Sequence, residues 1–407
     1  MSGAGVAAWT LGWLSLAAAL LALAALAWPA LWRRATEGRV RGFAWVEPEE
    51  VAAGQPVTLH LRVENLAWLP LPRVYLDVEL PPPFDPVPGE HLHAGAVLAL
   101  GLRQRAEVTL GATPLRRGHA HFVPAQMEAD DGLGVARLSL ALEFRRGLRV
   151  LPVRARAPRA AERTRWGGDL EAPDLPSRKP FLPYSARAYA PGDRVRDIDW
   201  YLTARRGELA VRRYRQGSFL PVTLALDAAT EEPFYSGVWM EGLEALIALA
   251  AARAEELGRL GVPVGFWANA AVPTLGLAPA RLPAPADPRR LRSAFAGLLG
   301  YPTGPGGRFL AALARQLPPG GSLELFTARL DEEAVAHLGT LARRGIPLRL
   351  LLALREGEAP PPALATLRRA AGAVPVLLVR PRGLLTARAP GAVPPPAAVA
   401  VEEVTGP

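Results

Sequence analysis

Between Met1 and Trp32 no side chain is charged, and from Ala7 to Trp32 the chain is almost wholly apolar. A helix needs about 20 apolar residues to cross a bilayer, so residues 7–32 suffice for one crossing and not for two. Tryptophans stand near both ends, at Trp9, Trp13, Trp28 and Trp32, and Arg33, Arg34, Arg39 and Arg41 follow on one side only. Aromatic belts and an excess of arginine on the cytoplasmic flank are the usual marks of a single inner-membrane anchor, which puts the rest of the chain in the cytoplasm. A cleaved secretory signal carries its positive charges ahead of the apolar run. Here they come after it, so the expectation is an uncleaved anchor.

The 407 residues leave room for two soluble domains beyond that anchor. With no cysteine, thiol catalysis, disulfides and thiolate metal sites are excluded. The net charge of +9 is concentrated between Arg145 and Arg215, where 18 basic residues face 8 acidic ones. Lys179 is the only lysine, a bias that GC-rich coding explains. The high pI therefore does not argue for nucleic acid, and no recognition helix or stacking platform accompanies the arginines.

After Gly42 the hydrophobic period changes to two. Val57, Leu59, Leu61 and Val63 alternate with Thr58, His60, Arg62 and Glu64, and Val74, Leu76, Val78 and Leu80 repeat the pattern before three prolines. Short alternating runs between Gly and Pro turns predict an antiparallel, immunoglobulin-like β-sandwich over residues 43–152. Two His-x-His pairs lie in it, His91/His93 and His119/His121. Four imidazoles brought together could hold zinc or copper, but polar faces of exposed strands carry such residues routinely.

Residues 153–217 read as an arginine-rich connector. Within it, Arg187, Tyr189, Pro191, Gly192, Asp193, Arg196, Asp197, Asp199, Trp200 and Arg205 fall inside nineteen positions. Pro191-Gly192-Asp193 is a turn by composition, and the interleaved arginines and aspartates predict a loop latched by bidentate ion pairs. Asp193, Asp197 and Asp199 could also form a divalent-metal cluster, although the arginines already supply them with cationic partners.

From residue 218 to 380 strand alternates with helix. Val222–Leu226 is an apolar strand ending at Asp227, Trp239–Leu260 is amphipathic, and Val262–Trp267 is apolar again. Asp287-Pro288 predicts a capped helix start. Leu323–Phe326, a helix from Asp331 to Arg344, Ile346–Leu352 and Val374–Val379 continue the alternation. This predicts a Rossmann-like α/β domain whose ligands sit at the carboxyl ends of the strands. Residues 381–407, rich in Pro and Ala, read as a flexible tail.

The stretch ARAYAPGDRVRDIDWYLTAR resembles the motif of the bacterial domain-of-unknown-function 58 (DUF58) family, and Arg117-Gly118 and Asp131-Gly132-Leu133-Gly134 are similar to its upstream element. The resemblance implies membrane helices, a small β domain and a C-terminal domain like that of von Willebrand factor A, with a MoxR-type AAA+ ATPase as partner. In von Willebrand A domains the position of Asp227 opens an Asp-x-Ser-x-Ser Mg²⁺ site. Here Asp227-Ala228-Ala229-Thr230-Glu231 lacks both serines, so no resident cofactor is expected, and Asp227 is the one degenerate metal candidate. No phosphate-binding loop precedes Lys179, no nucleophile elbow occurs, and His337 has no serine or acid at motif spacing. The expectation is a membrane-anchored binding or assembly module, not an enzyme. The alternative is a divalent-metal hydrolase using Asp193, Asp197, Asp199 or Asp227.

Overall fold

The computed structural model describes residues 3–85, 92–155, 182–190, 198–215, 220–317, 320–372, 374–381 and 399–403. The apolar run forms one helix, α1 (Gly3–Thr36), extending past the expected boundary at residue 32. It is long and apolar enough to cross a membrane. Its last turns have another role. Trp32 is fully buried, with Ala35 and Thr36, in the core of the β domain. The Trp32 indole donates to the Pro70 carbonyl at 2.9 Å and the Trp28 indole to the Asp131 carbonyl at 3.0 Å. The expectation that Trp32 marks a lipid interface is corrected. An indole pairs a large apolar body with one donor, which suits a domain core that offers a carbonyl, and truncating a buried aromatic costs about 3–5 kcal/mol.

The β domain comprises β1 (Val40–Glu47), β2 (Glu50–Ala52), β3 (Val57–Asn65), β4 (Leu71–Leu80), β5 (Leu92–Leu100), β6 (Arg105–Ala112), β7 (Gly118–Ala120), β8 (Ala125–Asp130), β9 (Arg137–Leu142) and β10 (Leu148–Leu151). Sheets ordered β1-β3-β6 and β5-β4-β8-β9 share one core, filled by the alternating residues of β3 and β4. The third sheet, β2-β10-β7, contains a parallel pair, β2 with β10, whereas the strand pairs of the other two sheets are antiparallel. Registers such as Val40 with Asn65, Leu71 with Leu100 and Asp130 with Arg137 bring three loops, 66–70, 101–104 and 131–136, to the end where α1 enters.

Next comes a two-stranded ribbon, β11 (Leu182–Ala188) against β12 (Ala210–Arg215), with α2 (Trp200–Arg206) between them. The expected connector thus contains ordered elements. The α/β domain then runs through β13 (Val222–Leu226), α3 (Met240–Leu260), β14 (Val264–Ala268), β15 (Ala280–Leu282), α4 (Pro288–Gly297), α5 (Gly306–Gln316), β16 (Ser322–Thr327), α6 (Glu332–Arg343), β17 (Leu348–Ala353), α7 (Ala363–Ala371), β18 (Val376–Pro381) and β19 (Val399–Glu403). The sheet order is β15-β14-β13-β16-β17-β18-β19. The five central strands are parallel and both edge strands antiparallel. Separate apolar clusters line its two faces. Glu324, fully buried on β16, is held by the Arg253 guanidinium of α3 at 2.8 and 3.0 Å. A charge there persists only with such a bidentate partner. Part of the expected flexible tail, residues 399–403, is instead a strand. Val399 and Val401 sit at period two, and their pairing covers the open edge of β18.

At the boundary between the two domains one arginine makes the largest set of hydrogen bonds among the described residues. Arg117, just before β7, donates through Nε and Nη2 to the Glu244 carboxylate of α3 at 2.9–3.1 Å. Its Nη1 donates to the carbonyls of Phe295, Ala296 and Leu298, at 3.3, 3.2 and 2.6 Å. Those carbonyls end α4, where unpaired acceptors and the negative end of the dipole attract a cation. Val153 packs against both cores, and Arg292 forms an ion pair with Glu50 across the same boundary at 3.1 Å.

Substituting Arg117 by Ala strands a largely buried carboxylate and three carbonyls, a loss of about 3–5 kcal/mol. Scanning calorimetry of the detergent-solubilised R117A protein is expected to show the β and α/β domains melting as two separated transitions. Arg117→Lys is expected to rescue only part of the coupling, because an ammonium lacks the planar fork.

Candidate functional site

The family-like motif builds the tip of the ribbon. Ile198 is buried and bridges to Val211, while Asp199 N–H donates to the Ala210 carbonyl at 2.8 Å. The Asp199 side chain accepts from Leu202 N–H at 3.1 Å and so caps α2. The Thr203 hydroxyl accepts from Ala210 N–H at 3.1 Å. Gly207, at φ 72°, ends the helix in the left-handed region, and its N–H donates to the Thr203 carbonyl. Asp199 thus works as an N-cap; the expected arginine latch involves Asp193, Arg196 and Asp197, which lie outside the described residues. An acceptor placed just before a first helical turn meets that turn's free N–H groups. The result is a pinned scaffold that leaves Trp200 61% and Tyr201 72% exposed, with Tyr189 and Arg205 also exposed. Arg187 pairs with Val211 in the ribbon. Pro191, Gly192, Asp193, Arg196 and Asp197, and with them most of the proposed metal cluster, lie outside the described residues, as does Lys179.

A second polar centre lies at the carboxyl ends of the parallel strands, where α/β sheets bind ligands. Asp227 follows β13 and is 5% exposed. Its Oδ1 accepts from Ala229 N–H at 3.0 Å and from Asn269 Nδ2 at 3.2 Å. Asn269, just past β14, also donates to the Gly304 carbonyl at 2.6 Å and accepts from the Thr303 hydroxyl at 2.9 Å. Gly306, opening α5, stands so close that a Cβ there would lie 2.4 Å from Asp227 Oδ2. Burial pushes the Asp227 carboxyl up to about 6, against the opposing pull of the Ala229 amide, Asn269 and Arg329. The Ala229 N–H, two residues on, is the kind of local backbone donor that an aspartate after a strand meets. Asn269, Thr303 and Gly306 were not foreseen, because they come from loops distant in the chain.

A magnesium ion needs near-octahedral oxygen ligands, and the donors around Asp227 fit it poorly. Ala228 and Ala229 offer no side-chain oxygen. The Thr230 hydroxyl accepts from Trp239 N–H at 2.6 Å, and the Thr327 hydroxyl is engaged with the backbone of Arg329. The Arg329 guanidinium joins Glu232, Asp331 and the Glu231 carbonyl, and Arg355 pairs with Glu231. Among the described residues no three His, Asp or Glu side chains converge as a metal set.

The histidine pairs are separated. His93, on β5, meets Asp77 at 2.9 Å. His119 lies on β7, in a different sheet, facing Gly297 of α4, and burial holds it below its ordinary range against a backbone hydrogen bond with Ser293. His91 lies outside the described residues. His337, on α6, sits 3.8 Å from Glu333 one turn away.

Residues 185–281 match the family model described as protein of unknown function DUF58, a span running from the ribbon through β15. The match supports the resemblance carried by the motif. No curated protein matches the chain. Solved structures that align include the CARDB domain of a Pyrococcus furiosus protein in complex with di-metal ions (15% identity, 26% of this chain and 93% of that one, TM-score 0.18). An alkylpurine DNA glycosylase from Pseudomonas fluorescens aligns at 13% identity over 26% of this chain and 30% of that one, TM-score 0.18. A Listeria innocua β-glucosidase aligns at 12% identity over 26% and 16%, TM-score 0.17. Scores this low assign neither fold nor activity.

The upward shift of the Asp227 pKa fixes the pH dependence of stability. The folded protein holds this proton more tightly than the unfolded chain, so the stabilisation is complete below pH 3.8 and is lost as pH rises through about 6. Asp227→Asn is expected to melt higher than the parent at pH 7.5, by at most about 3 kcal/mol. The difference should vanish below pH 4 in thermal scans across pH. A metal-dependent Asp227 predicts the reverse, with millimolar Mg²⁺ stabilising the parent but not D227N.

Proposed function

We propose that this chain is a membrane-anchored protein-interaction module that works with a MoxR-type AAA+ ATPase in the maturation of protein complexes. The observation that carries the reading is the ribbon tip. Asp199, Thr203 and Gly207 satisfy the ends of α2 so that Trp200 and Tyr201 remain exposed. Large aromatics left in water on a rigid mount are the usual anchors of protein interfaces. Arg205 beside them, within the most basic segment of the chain, favours an acidic partner surface.

Three further features support it. The DUF58 match covers this ribbon. The α/β domain carries Asp227 at the end of its first parallel strand, as a von Willebrand A-like domain would, yet the two serine positions of a cation site are occupied by Ala229 and Glu231. A partner would then be held by shape and charge. Arg33, Arg34, Arg39 and Arg41 favour an inner-membrane orientation with both soluble domains in the cytoplasm.

Affinity purification of the full-length protein from detergent-solubilised membranes of its host is expected to recover an AAA+ ATPase. Trp200→Ala with Tyr201→Ala should weaken that association at least ~30-fold, the scale of losing a hot spot of about 2 kcal/mol, while leaving the melting temperature unchanged. Recovery of no ATPase, or equal recovery by the double variant, would refute the reading.

A further inference from the structure

The end of the sandwich where α1 enters is unlike the rest of its surface. Among the described residues 40–155, eight large hydrophobic side chains are exposed, and five of them, Leu66, Trp68, Leu102, Leu133 and Val135, lie in the three loops at that end. Strand register puts these loops side by side, and hydrogen bonds tie the first two together. Arg103 N–H donates to the Ala67 carbonyl, and the Asn65 amide donates to the Leu69 and Gly101 carbonyls. The helix is bonded to two of the same loops, through Trp28 to Asp131 and Trp32 to Pro70. The hydrophobic tips therefore ring the point at which the anchor leaves the domain.

Helix length fixes how near that ring is to lipid. The turns from Trp28 onward pack on the sandwich, which leaves Gly3–Ala27, 25 residues. At 1.5 Å per residue this is about 37 Å, against a hydrocarbon core of about 30 Å. Only about 7 Å of helix remains outside the core if the segment spans it, less than the thickness of a headgroup layer. The charge at this end is also suited to a bilayer surface. Arg33 and Arg34 on the helix, Arg39 just past its end, and Arg73, Arg103 and Arg137 at the loops are exposed; Arg73 also stands 3.6 Å from Asp130. Of the acids here, Asp130 and Asp131 are buried and accept from loop amides, leaving Glu37 and Glu64 nearer solvent. Anionic headgroups attract arginines so placed, and apolar tips with a tryptophan enter the headgroup and acyl boundary by about 5–10 Å.

We infer that this face of the sandwich is a second bilayer contact, with Leu66, Trp68, Leu102, Leu133 and Val135 seated in an anionic phospholipid leaflet and the arginines around them on its headgroups. The inference rests on the membrane-anchor reading and adds that the soluble part lies clamped on the membrane, not swinging from a tether.

The chain has no cysteine, so single cysteines report without background. Full-length protein with Cys at Leu66, Leu102 or Leu133 would be labelled with an environment-sensitive fluorophore in vesicles of phosphatidylcholine and phosphatidylglycerol. Val123→Cys, at the opposite end of the sandwich, and Leu20→Cys, in the helix, serve as references. Shallow nitroxide lipids are expected to quench labels at 66, 102 and 133 several-fold more than at 123, and deep nitroxides to quench the label at 20. Omitting phosphatidylglycerol should reduce quenching at the three loop positions, and unchanged quenching would overturn the role given to the arginines. Loop labels as unquenched as that at 123, with position 20 quenched, would overturn the clamped face and leave the anchor standing. No quenching at position 20 would remove both.

Discussion

Arg117 leaves the β-sandwich and ends inside the α/β domain, where a single guanidinium neutralises Glu244 and closes the carbonyl end of α4. It is the most extensive polar contact between the two domains among the described residues. Inter-domain boundaries within a chain are commonly modest and mobile. Here five donors in a fixed fork meet a carboxylate and three carbonyls at a helix end, and neither group can be released cheaply from a largely dry site. Val153, touching both cores, and the Arg292–Glu50 pair add area and a second ionic link around it.

A similar economy of polar groups explains the ribbon and the strand-end centre. In the ribbon, the helix-end groups are paired locally, and aromatics are left outside. At Asp227 the opposite arrangement holds: the carboxylate is drawn in, bonded to Ala229 and Asn269 and crowded by Gly306, so its charge is disfavoured. One site leaves its aromatics exposed and the other is filled by its own side chains. That contrast is the reason the proposed contact surface is put at the ribbon, although fold convention would look first to the strand ends.

Periodicity made much of this legible. The alternation in Val57–Val63 and Val74–Leu80, the strand Val222–Leu226 and the cap at Asp287 all read directly from neighbouring residues. What escaped was set by partners distant in the chain. Trp32 looks like a membrane-interface residue because nothing near it shows that the Pro70 carbonyl will be waiting. Asp199 sits among arginines, and charge pairing hid its role as a cap. β19 hides in a Pro-rich context, since its only reason to extend is the free edge of β18. Asn269 and Thr303 carry no motif, and they join Asp227 only when β14 is laid beside β13.

Trp28 and Trp32 are one helical turn apart and therefore on one face of α1, and each is fixed to a different loop of the sandwich. Two bonds on one face remove rotation of the helix about its own axis. The azimuth of the apolar segment is thus dictated by the folded domain, and the same stripe of leucines, including Leu20, Leu23 and Leu31 among the exposed ones, always faces the same way relative to the sandwich. A torque applied at the α/β domain would pass through Arg117 and the two indoles into that helix without a slack joint to absorb it.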